Sequence, residues 1–195
     1  MNNRPDLRQI GLTLTPMVKR LVILNVAVWF IGQVLIEKLI LKAPYITAFL
    51  GLVPEMFFTK FFIWQVFTFN FLHSLNILHI LMNMLILVML GSELETRWGS
   101  RFFLMYYLVS GVGAGLFYVA SLWIYSMITA DVSVWGVPVV GASGAIFGLM
   151  MAYGIIFGDR IMHFMMLFPM KAKYFIMILG LVQVSEFLRT VVFYL

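Results

Sequence analysis

Five long apolar stretches dominate this sequence and restrict what the chain can fold into. An α-helix of about 20 apolar residues crosses the hydrocarbon core of a bilayer, because it satisfies its own backbone hydrogen bonds. Hydrophobic residues make up 63% of the chain and charged residues only 11%, more apolar surface than a water-soluble domain of this length can bury. The sequence therefore predicts an all-α, polytopic membrane protein. Its predicted spans cover residues 21–41, 70–90, 102–128, 141–158 and 174 onward.

The distribution of positive charge predicts how these spans are oriented. With a cytoplasmic N-terminus, residues 1–20, 91–101 and 159–173 all lie on the cytoplasmic side. Nine of the 13 lysines and arginines fall in these three segments, in agreement with the positive-inside rule. Topology thus explains the basic residues, and no nucleic-acid partner is expected. We expect a multi-pass integral protein of a bacterial inner membrane, in contact with the lipid bilayer, with a cytoplasmic N-terminus.

Residues 42–69 separate the first two spans and are too interrupted to cross a membrane themselves. Pro44, Pro54 and Glu55 each interrupt the apolar run, and proline breaks helix interiors. The segment is also rich in aromatic residues, which favour the interface between lipid and water. The sequence therefore predicts an interfacial first loop. Because no long linker or low-complexity segment is present, we expect a single domain over residues 1–195.

Ser143 lies between Gly141 and Gly144, where a loop turns into the fourth apolar span. This position falls in the first turn of a helix, whose backbone N–H groups have no intrahelical partner and can donate to an anion. A hydroxyl nucleophile beside such donors suits acyl transfer, in which an oxyanion must be stabilised. The alternative interpretation is structural, since Gly144, Gly148 and Ala152 form a stripe of small residues that lets helices pack closely.

The second span carries four polar residues, His73, Asn76, His79 and Asn83. Positions 76, 79 and 83 are three and four residues apart and so share one helix face, with His73 beside them. Polar side chains in a span normally face the bundle interior and are candidates for function. They also join helices by hydrogen bonds worth roughly 0.6–2 kcal/mol. Spans two and four both begin on the extracytoplasmic side, so His79 and Asn83 approach Ser143 from the same face of the membrane.

Several short motifs follow one another along the chain in a recognisable order. They are Trp64-Gln65, Phe71-Leu-His73, His79-Ile-Leu-Met-Asn83, Glu93-Leu-Glu95 with Gly99, Gly141-Ala-Ser143-Gly144 and Phe168-Pro-Met-Lys-Ala-Lys-Tyr174. In their order, spacing and topology these motifs resemble the rhomboid family of intramembrane serine proteases. The resemblance extends over residues 20–190. One departure is Gln65, which stands where the family usually has arginine.

The resemblance implies a Ser-His dyad, without metal or cofactor, in a water-filled cavity open to the extracytoplasmic side. Ser143 is the implied nucleophile. Its backbone amide lines the implied oxyanion site together with the side chains of His79 and Asn83. Phe147, one turn below Ser143, stands where the family places an aromatic ring against the catalytic histidine. The implied substrates are single-span membrane proteins, which are cut near the extracytoplasmic face where their helix unwinds.

Other residues are expected to support this site without taking part in the reaction. Gly141 and Gly144 flank the nucleophile, and Gly141 suits the tight turn that leads into the fourth span. His73 is expected to fix the first loop. Trp64 belongs to that loop, which the resemblance places beside the active-site cavity as a membrane-embedded structure.

The general base of the dyad is not supplied by these motifs. In the family this histidine lies on a sixth span, after the serine, whereas His163 falls in a loop predicted to be cytoplasmic. We expect the natural protein to continue past Leu195 with a sixth span that carries the histidine and packs on the Gly144–Gly148 face. Before the resemblance is considered, His79 is also a possible base. The alternative function is that of a catalytically inactive rhomboid-like protein that binds transmembrane clients.

Other classes of intramembrane protease do not fit the sequence. The chain has no cysteine, which excludes thiolate catalysis and disulfides. The His-Glu-x-x-His motif of zinc proteases is absent. Asp6, Asp131 and Asp159 all fall in predicted loops, whereas an aspartyl intramembrane protease needs two buried aspartates.

Overall fold

The chain is a bundle of α-helices in a computed structural model that describes residues 14–164 and 168–193. Among the described residues, three helices are long and apolar enough to cross a membrane, and Ser143–Phe157 and Ala172–Val182 are shorter apolar segments. The predicted all-α membrane class is confirmed, whereas the number of spans stays a prediction. Most of the predicted cytoplasmic segment 1–20 lies outside the described residues. In chain order the helices are α1 (Pro16–Leu41), α2 (Tyr45–Leu50), α3 (Pro54–Thr59), α4 (Gln65–Thr68), α5 (Ile77–Trp98), α6 (Ser100–Thr129), α7 (Ser143–Phe157) and α8 (Ala172–Phe193).

Two of the long helices are not α-helical throughout. The second part of α1, Val28–Leu41, is π-helical, and so is the Leu87–Gly91 segment inside α5. A π-helical segment changes the direction in which the following side chains point, and such segments are common at functional sites. A further 3-10 turn, Ser133–Gly136, lies between α6 and α7.

The segment between α1 and α5 folds into the short helices α2, α3 and α4, followed by a 3-10 turn at Phe69–Phe71. The buried amide of Gln65 ties this segment together. It accepts a hydrogen bond from Val53 N–H (3.1 Å) and donates one to the Ala48 carbonyl (2.9 Å). Arginine has no acceptor, so the glutamine at this position makes a bond to Val53 that arginine could not. The interruption predicted for residues 42–69 is therefore present.

Helix α5 begins at Ile77, later than the start near Asn70 that the sequence predicted. Residues 72–76 lead into it as a non-helical segment, called here the 72–76 linker. Asn76 is the N-cap, and its side chain accepts a 3.0 Å hydrogen bond from Leu78 N–H. An asparagine at this position satisfies a backbone donor that has no partner in the helix. Asn76 therefore caps α5 instead of joining its polar face, and the predicted start was wrong.

A single residue, Gly99, separates α5 from α6, where the sequence predicted a polar turn over residues 91–101. Gly99 has φ of +80°, a backbone conformation that favours glycine. Glu95, near the end of α5, connects this helix to the start of α1. Its buried carboxylate accepts hydrogen bonds from the N–H groups of Met17 and Val18, both at 2.9 Å. An acidic side chain at a helix N-terminus satisfies its unpaired donors and its dipole. The last turn of α5 thereby caps α1.

Helices α6 and α7 pack together through the small residues of α7. A β-carbon added at Gly144 would lie 2.5 Å from the β-carbon of Ala114, and one at Gly148 would overlap the side chain of Ser110. Tyr106 completes the contact by donating a 3.1 Å hydrogen bond to the Gly148 carbonyl. The expectation that a sixth span packs on this face is wrong, because α6 occupies it. The structural interpretation of these glycines is confirmed.

A two-stranded antiparallel hairpin joins α7 to α8, where the sequence predicted a loop. Strand β1 (Ile161–Phe164) pairs with β2 (Phe168–Lys171). At its base, Asp159 accepts a 2.8 Å hydrogen bond from Lys173 and lies 3.5 Å from the Nζ atom of Lys171. The hydrogen bond and charge of Lys173, together with Lys171, hold the pKa of Asp159 below its ordinary value. Lys171 and Lys173 thus lie around one carboxylate, whereas the third basic residue of this segment, Arg160, pairs with Glu93.

Candidate functional site

Ser143 is the first residue of α7, and its side chain is half-buried. The segment before it is fixed by the first loop. Leu52 and Val139 exchange two backbone hydrogen bonds (3.0 and 2.9 Å), and Gly141 N–H donates to the Phe69 carbonyl at 3.0 Å. These contacts determine where α7 begins. The N–H groups of its first turn have no intrahelical partner and are available to an oxyanion.

Gly141 is the point at which Ser143 and His79 come together. A β-carbon added to Gly141 would lie 3.1 Å from both Cε1 and Nε2 of His79 and 3.5 Å from Ser143 Oγ. The imidazole edge and the hydroxyl therefore lie against the same backbone atom. Gly141 also has φ of +134°, which disfavours every residue with a side chain. A glycine here keeps open the space between the two polar groups.

The hydrogen-bond partners of His79 determine which of its nitrogens carries the proton. Its Nδ1 atom lies 3.3 Å from the Ser74 backbone nitrogen and 2.9 Å from Ser74 Oγ. A backbone N–H can only donate, so Nδ1 is the acceptor. A neutral imidazole that accepts at one nitrogen carries its proton on the other. Nε2, the atom beside Gly141, is therefore an N–H donor.

Asn83 lies one turn after His79 on α5 and is buried. Its Nδ2 atom donates a 2.7 Å hydrogen bond to the His79 carbonyl. An amide NH₂ has two hydrogens, so this bond leaves the second one available. Within the part of the chain that the structure describes, Asn83 and Ser143 share no hydrogen bond. The structure thus places His79 and Ser143 beside the same residue, Gly141, and Asn83 one helical turn after His79.

His73 and Trp64 lie in the walls around the site. His73 is completely buried, and its ring centroid is 5.3 Å from that of His79. Among the described residues the His73 ring makes no hydrogen bond of ordinary geometry. Trp64 stacks on Phe62 at 4.5 Å and donates a 2.9 Å hydrogen bond to the Phe49 carbonyl. Trp64 therefore holds the first loop together.

Phe147 and His163 lie away from the reacting atoms. The Phe147 ring is 37% exposed, and a β-carbon added at Gly180 of α8 would lie 3.7 Å from it. Phe147 thus faces α8, one turn below Ser143. His163 is in β1, beyond the C-terminal end of the 15-residue helix α7. At about 1.5 Å per residue, α7 separates this strand from Ser143 by roughly 20 Å.

Three residues near this site were not identified from the sequence: Ser74, Trp29 and Gln33. Ser74 contacts His79 from the 72–76 linker, and α1 holds that linker through Trp29 and Gln33. Ser74 was missed because the sequence predicted a helix over this stretch, whereas the linker is not helical. Trp29 and Gln33 carry a readable signal: they lie one turn apart on a face of the first span that also carries Asn25 and Glu37.

Comparison with known proteins gives the family. A family model described as the Rhomboid domain matches residues 60–192. Rhomboid protease AarA of Providencia stuartii is 34% identical over 151 residues, which cover 75% of this chain and 50% of that protein. RHOMBOID-like protein 4 of Arabidopsis thaliana is 36% identical over 87 residues, 45% of this chain and 19% of that protein. RHOMBOID-like protein 1 of the same plant is 36% identical over 88 residues.

The fold and the site define a helical membrane protein with a serine at a helix N-terminus beside a histidine donor. The matches add a name to that class: this chain belongs to the Rhomboid family. The resemblance seen in the motifs is confirmed. The matches span half or less of the length of these curated relatives.

Proposed function

We propose that this chain belongs to an intramembrane serine endopeptidase whose nucleophile is Ser143. The observation that carries the proposal is the convergence of Ser143 Oγ and the His79 imidazole on Gly141. The two groups meet at the N-terminus of α7, where backbone donors are available. A nucleophile, a side-chain donor and backbone donors within one small volume are the requirements of acyl transfer.

In the proposed reaction Ser143 Oγ attacks the carbonyl carbon of a substrate peptide bond. The carbonyl oxygen becomes an oxyanion, stabilised by the Ser143 N–H, by His79 Nε2–H and by the second amide hydrogen of Asn83. Collapse of this intermediate breaks the C–N bond as the base gives the proton taken from Ser143 to the leaving nitrogen, which releases the amine and leaves an acyl group on Ser143. Water then attacks the acyl group, which releases the carboxylate product and restores the hydroxyl.

The proton of Ser143 is assigned to a base other than His79. Because His79 Nδ1 accepts from Ser74, its Nε2 already carries a hydrogen and has no free lone pair with which to accept the serine proton. Among the described residues no side chain accepts a hydrogen bond from Ser143. We assign proton removal to the dyad histidine that the family resemblance predicts. His79 is thereby given the role of donor, and the two functions fall on different residues.

The proposed substrates are single-span membrane proteins that unwind near the extracytoplasmic face of the bilayer. This assignment is supported by the helical membrane fold and by the position of Ser143 at the end of an apolar helix. The proposed orientation has a cytoplasmic N-terminus in a bacterial inner membrane. In that orientation the site faces the extracytoplasmic side, and the hairpin with Asp159 faces the cytoplasm.

A fluorophosphonate probe tests the proposal on the full-length protein in detergent micelles. Such a probe reacts with a serine hydroxyl only when a base and an oxyanion site activate it. We expect labelling at Ser143, located by peptide mass spectrometry, and no labelling of Ser143→Ala. Ser121 of α6 is the control, because Ser121→Ala removes a hydroxyl that donates only to the Phe117 carbonyl of its own helix. A well-folded but unreactive protein would contradict the proposal and favour a client-binding role.

A further inference from the structure

We propose that Ser74 is a positioning residue that fixes the ring of His79, and that α1 holds Ser74 in place through Trp29 and Gln33. The inference rests on the proposed function for its catalytic meaning. Its structural content is independent of that function. The observation behind it is that every described contact of the His79 ring nitrogen Nδ1 comes from one residue of the 72–76 linker.

The first step concerns how α1 holds the linker. Trp29 Nε1 donates a 3.0 Å hydrogen bond to the Ser74 carbonyl, and Gln33 Oε1 accepts a 2.8 Å bond from His73 N–H. Trp29 and Gln33 are four residues apart on the same side of α1. They therefore bond to the last and first backbone polar groups of the His73–Ser74 pair, the Ser74 carbonyl and the His73 N–H. A non-helical segment has no hydrogen-bond ladder of its own. These two bonds therefore determine where the linker lies.

The second step concerns the orientation of the Gln33 amide, which is buried with 3% exposure. Its Nε2 atom lies 3.5 Å from Thr47 Oγ1, and Thr47 donates 2.9 Å and 3.1 Å hydrogen bonds to the Glu37 carboxylate through its hydroxyl and its backbone N–H. Because the Thr47 hydroxyl donates its hydrogen to Glu37, it can only accept a hydrogen bond from Gln33. The amide oxygen of Gln33 is therefore left to face His73 N–H. Thr47, in the first loop, thus orients the Gln33 amide so that its oxygen accepts the hydrogen bond from His73 N–H.

The third step connects the linker to the site. Ser74 presents both its N–H and its hydroxyl to His79 Nδ1. Two donors at one nitrogen fix the plane of the ring as well as its tautomer. The opposite edge of that ring lies 3.1 Å from the β-carbon position of Gly141, so a rotation of the ring would move its N–H away from the oxyanion. Ser74 touches no reacting atom and acts only through His79.

Nitrogen-15 NMR of the full-length protein, labelled at histidine, tests this proposal without any substrate. The 195-residue sequence contains three histidines, so few ring signals have to be assigned. The signals that His79→Asn removes are those of His79. We expect a wild-type ring with a hydrogen on Nε2 and a hydrogen-bonded, unprotonated Nδ1. In Ser74→Ala the Nδ1 signal should shift towards that of a free ring and broaden. Ser74→Thr, which keeps the hydroxyl, should restore the wild-type spectrum.

The remaining variants separate positioning from a general loss of structure. Trp29→Phe keeps an aromatic ring but removes the N–H that holds Ser74, so it should shift the His79 signal in the same direction. Ser121→Ala, on α6, should leave the spectrum unchanged. A wild-type His79 with its hydrogen on Nδ1 would overturn the proposal, and so would a Ser74→Ala spectrum identical to that of the wild type.

Kinetics then connect the positioning role to the proposed function. Ser74→Ala should lower kcat about tenfold, with little change in KM, because it loosens an oxyanion donor worth on the order of 10²–10³ in rate. Ser74→Thr should recover most of the lost rate. If the wild-type protein cleaves nothing, the proposed function is wrong. The NMR experiment still tests independently whether Ser74 positions the His79 ring. A Ser74→Ala enzyme with wild-type kcat would contradict the catalytic part of this inference.

Discussion

His79 is the residue whose chemistry separates the possible readings of this site. From sequence alone it is either the base that activates Ser143 or a donor to the oxyanion. The two donors of Ser74 favour the donor role that we propose, because they occupy Nδ1 and leave the hydrogen on Nε2. A ring in this state stabilises negative charge on a neighbouring oxygen but does not accept the serine proton. On this account, the rate contribution of His79 is that of one donor among several.

Substitution of the two side-chain donors tests this assignment. In the full-length protein His79→Ala should lower kcat by on the order of 10²–10³, the usual cost of one oxyanion donor. Asn83→Ala should cost less, because one of its two amide hydrogens is already used by the His79 carbonyl. Cleavage of a single-span substrate in proteoliposomes measures both effects. If His79→Ala removed activity as completely as Ser143→Ala, His79 would be the base and the assigned roles would be wrong.

At the scale of elements, the pairing of α6 with α7 fixes the helix that carries Ser143. The small residues of α7 let the two backbones approach closely, and Tyr106 bonds directly to the Gly148 carbonyl. Close packing of this kind is the main source of helix association in a membrane, where the hydrophobic effect gives little help. The helix that begins with Ser143, the proposed nucleophile, is therefore held by a close helix–helix contact.

A pair of glycine substitutions measures that contact. Gly148→Ala should destabilise the protein by about 1–3 kcal/mol, because the added methyl group overlaps Ser110 and must push α6 away. Gly113→Ala is the matched control, since Gly113 is also inside a helix but has no atom within 4 Å of the added carbon. It should be neutral or stabilising by up to about 1 kcal/mol. Thermal unfolding in detergent compares the two, and equal effects would contradict the packing argument.

For the molecule as a whole, the sequence predicted the helical membrane class and the helix that Ser143 begins. These features follow from hydropathy and from the Gly-x-Ser-Gly turn, which are local properties. The start of α5 was not predicted, because the side chain of Asn76 replaces a backbone partner and lets the preceding residues stay extended. The partner of the Gly144–Gly148 face was also predicted wrongly. A stripe of small residues shows that a helix approaches but not which one does.

The site likewise depends on segments that are far apart in the chain. The first loop positions Gly141 through the Phe69 carbonyl, α1 positions the linker through Gln33, and α7 presents Ser143. No periodicity connects these residues, so their convergence appears only once the fold is known. Ser74 illustrates the difference, because its importance comes from a bond to His79 across a non-helical linker.

The most direct test of the account is cleavage of a single-span membrane substrate by the full-length protein reconstituted in liposomes, compared with its Ser143→Ala variant. We expect the wild-type protein to cut the substrate within or beside its transmembrane helix and the variant to produce no cleavage. Loss of one half-buried hydroxyl leaves almost no cavity, so the melting temperatures of the two proteins should agree closely. Undiminished cleavage by Ser143→Ala would contradict the central claim.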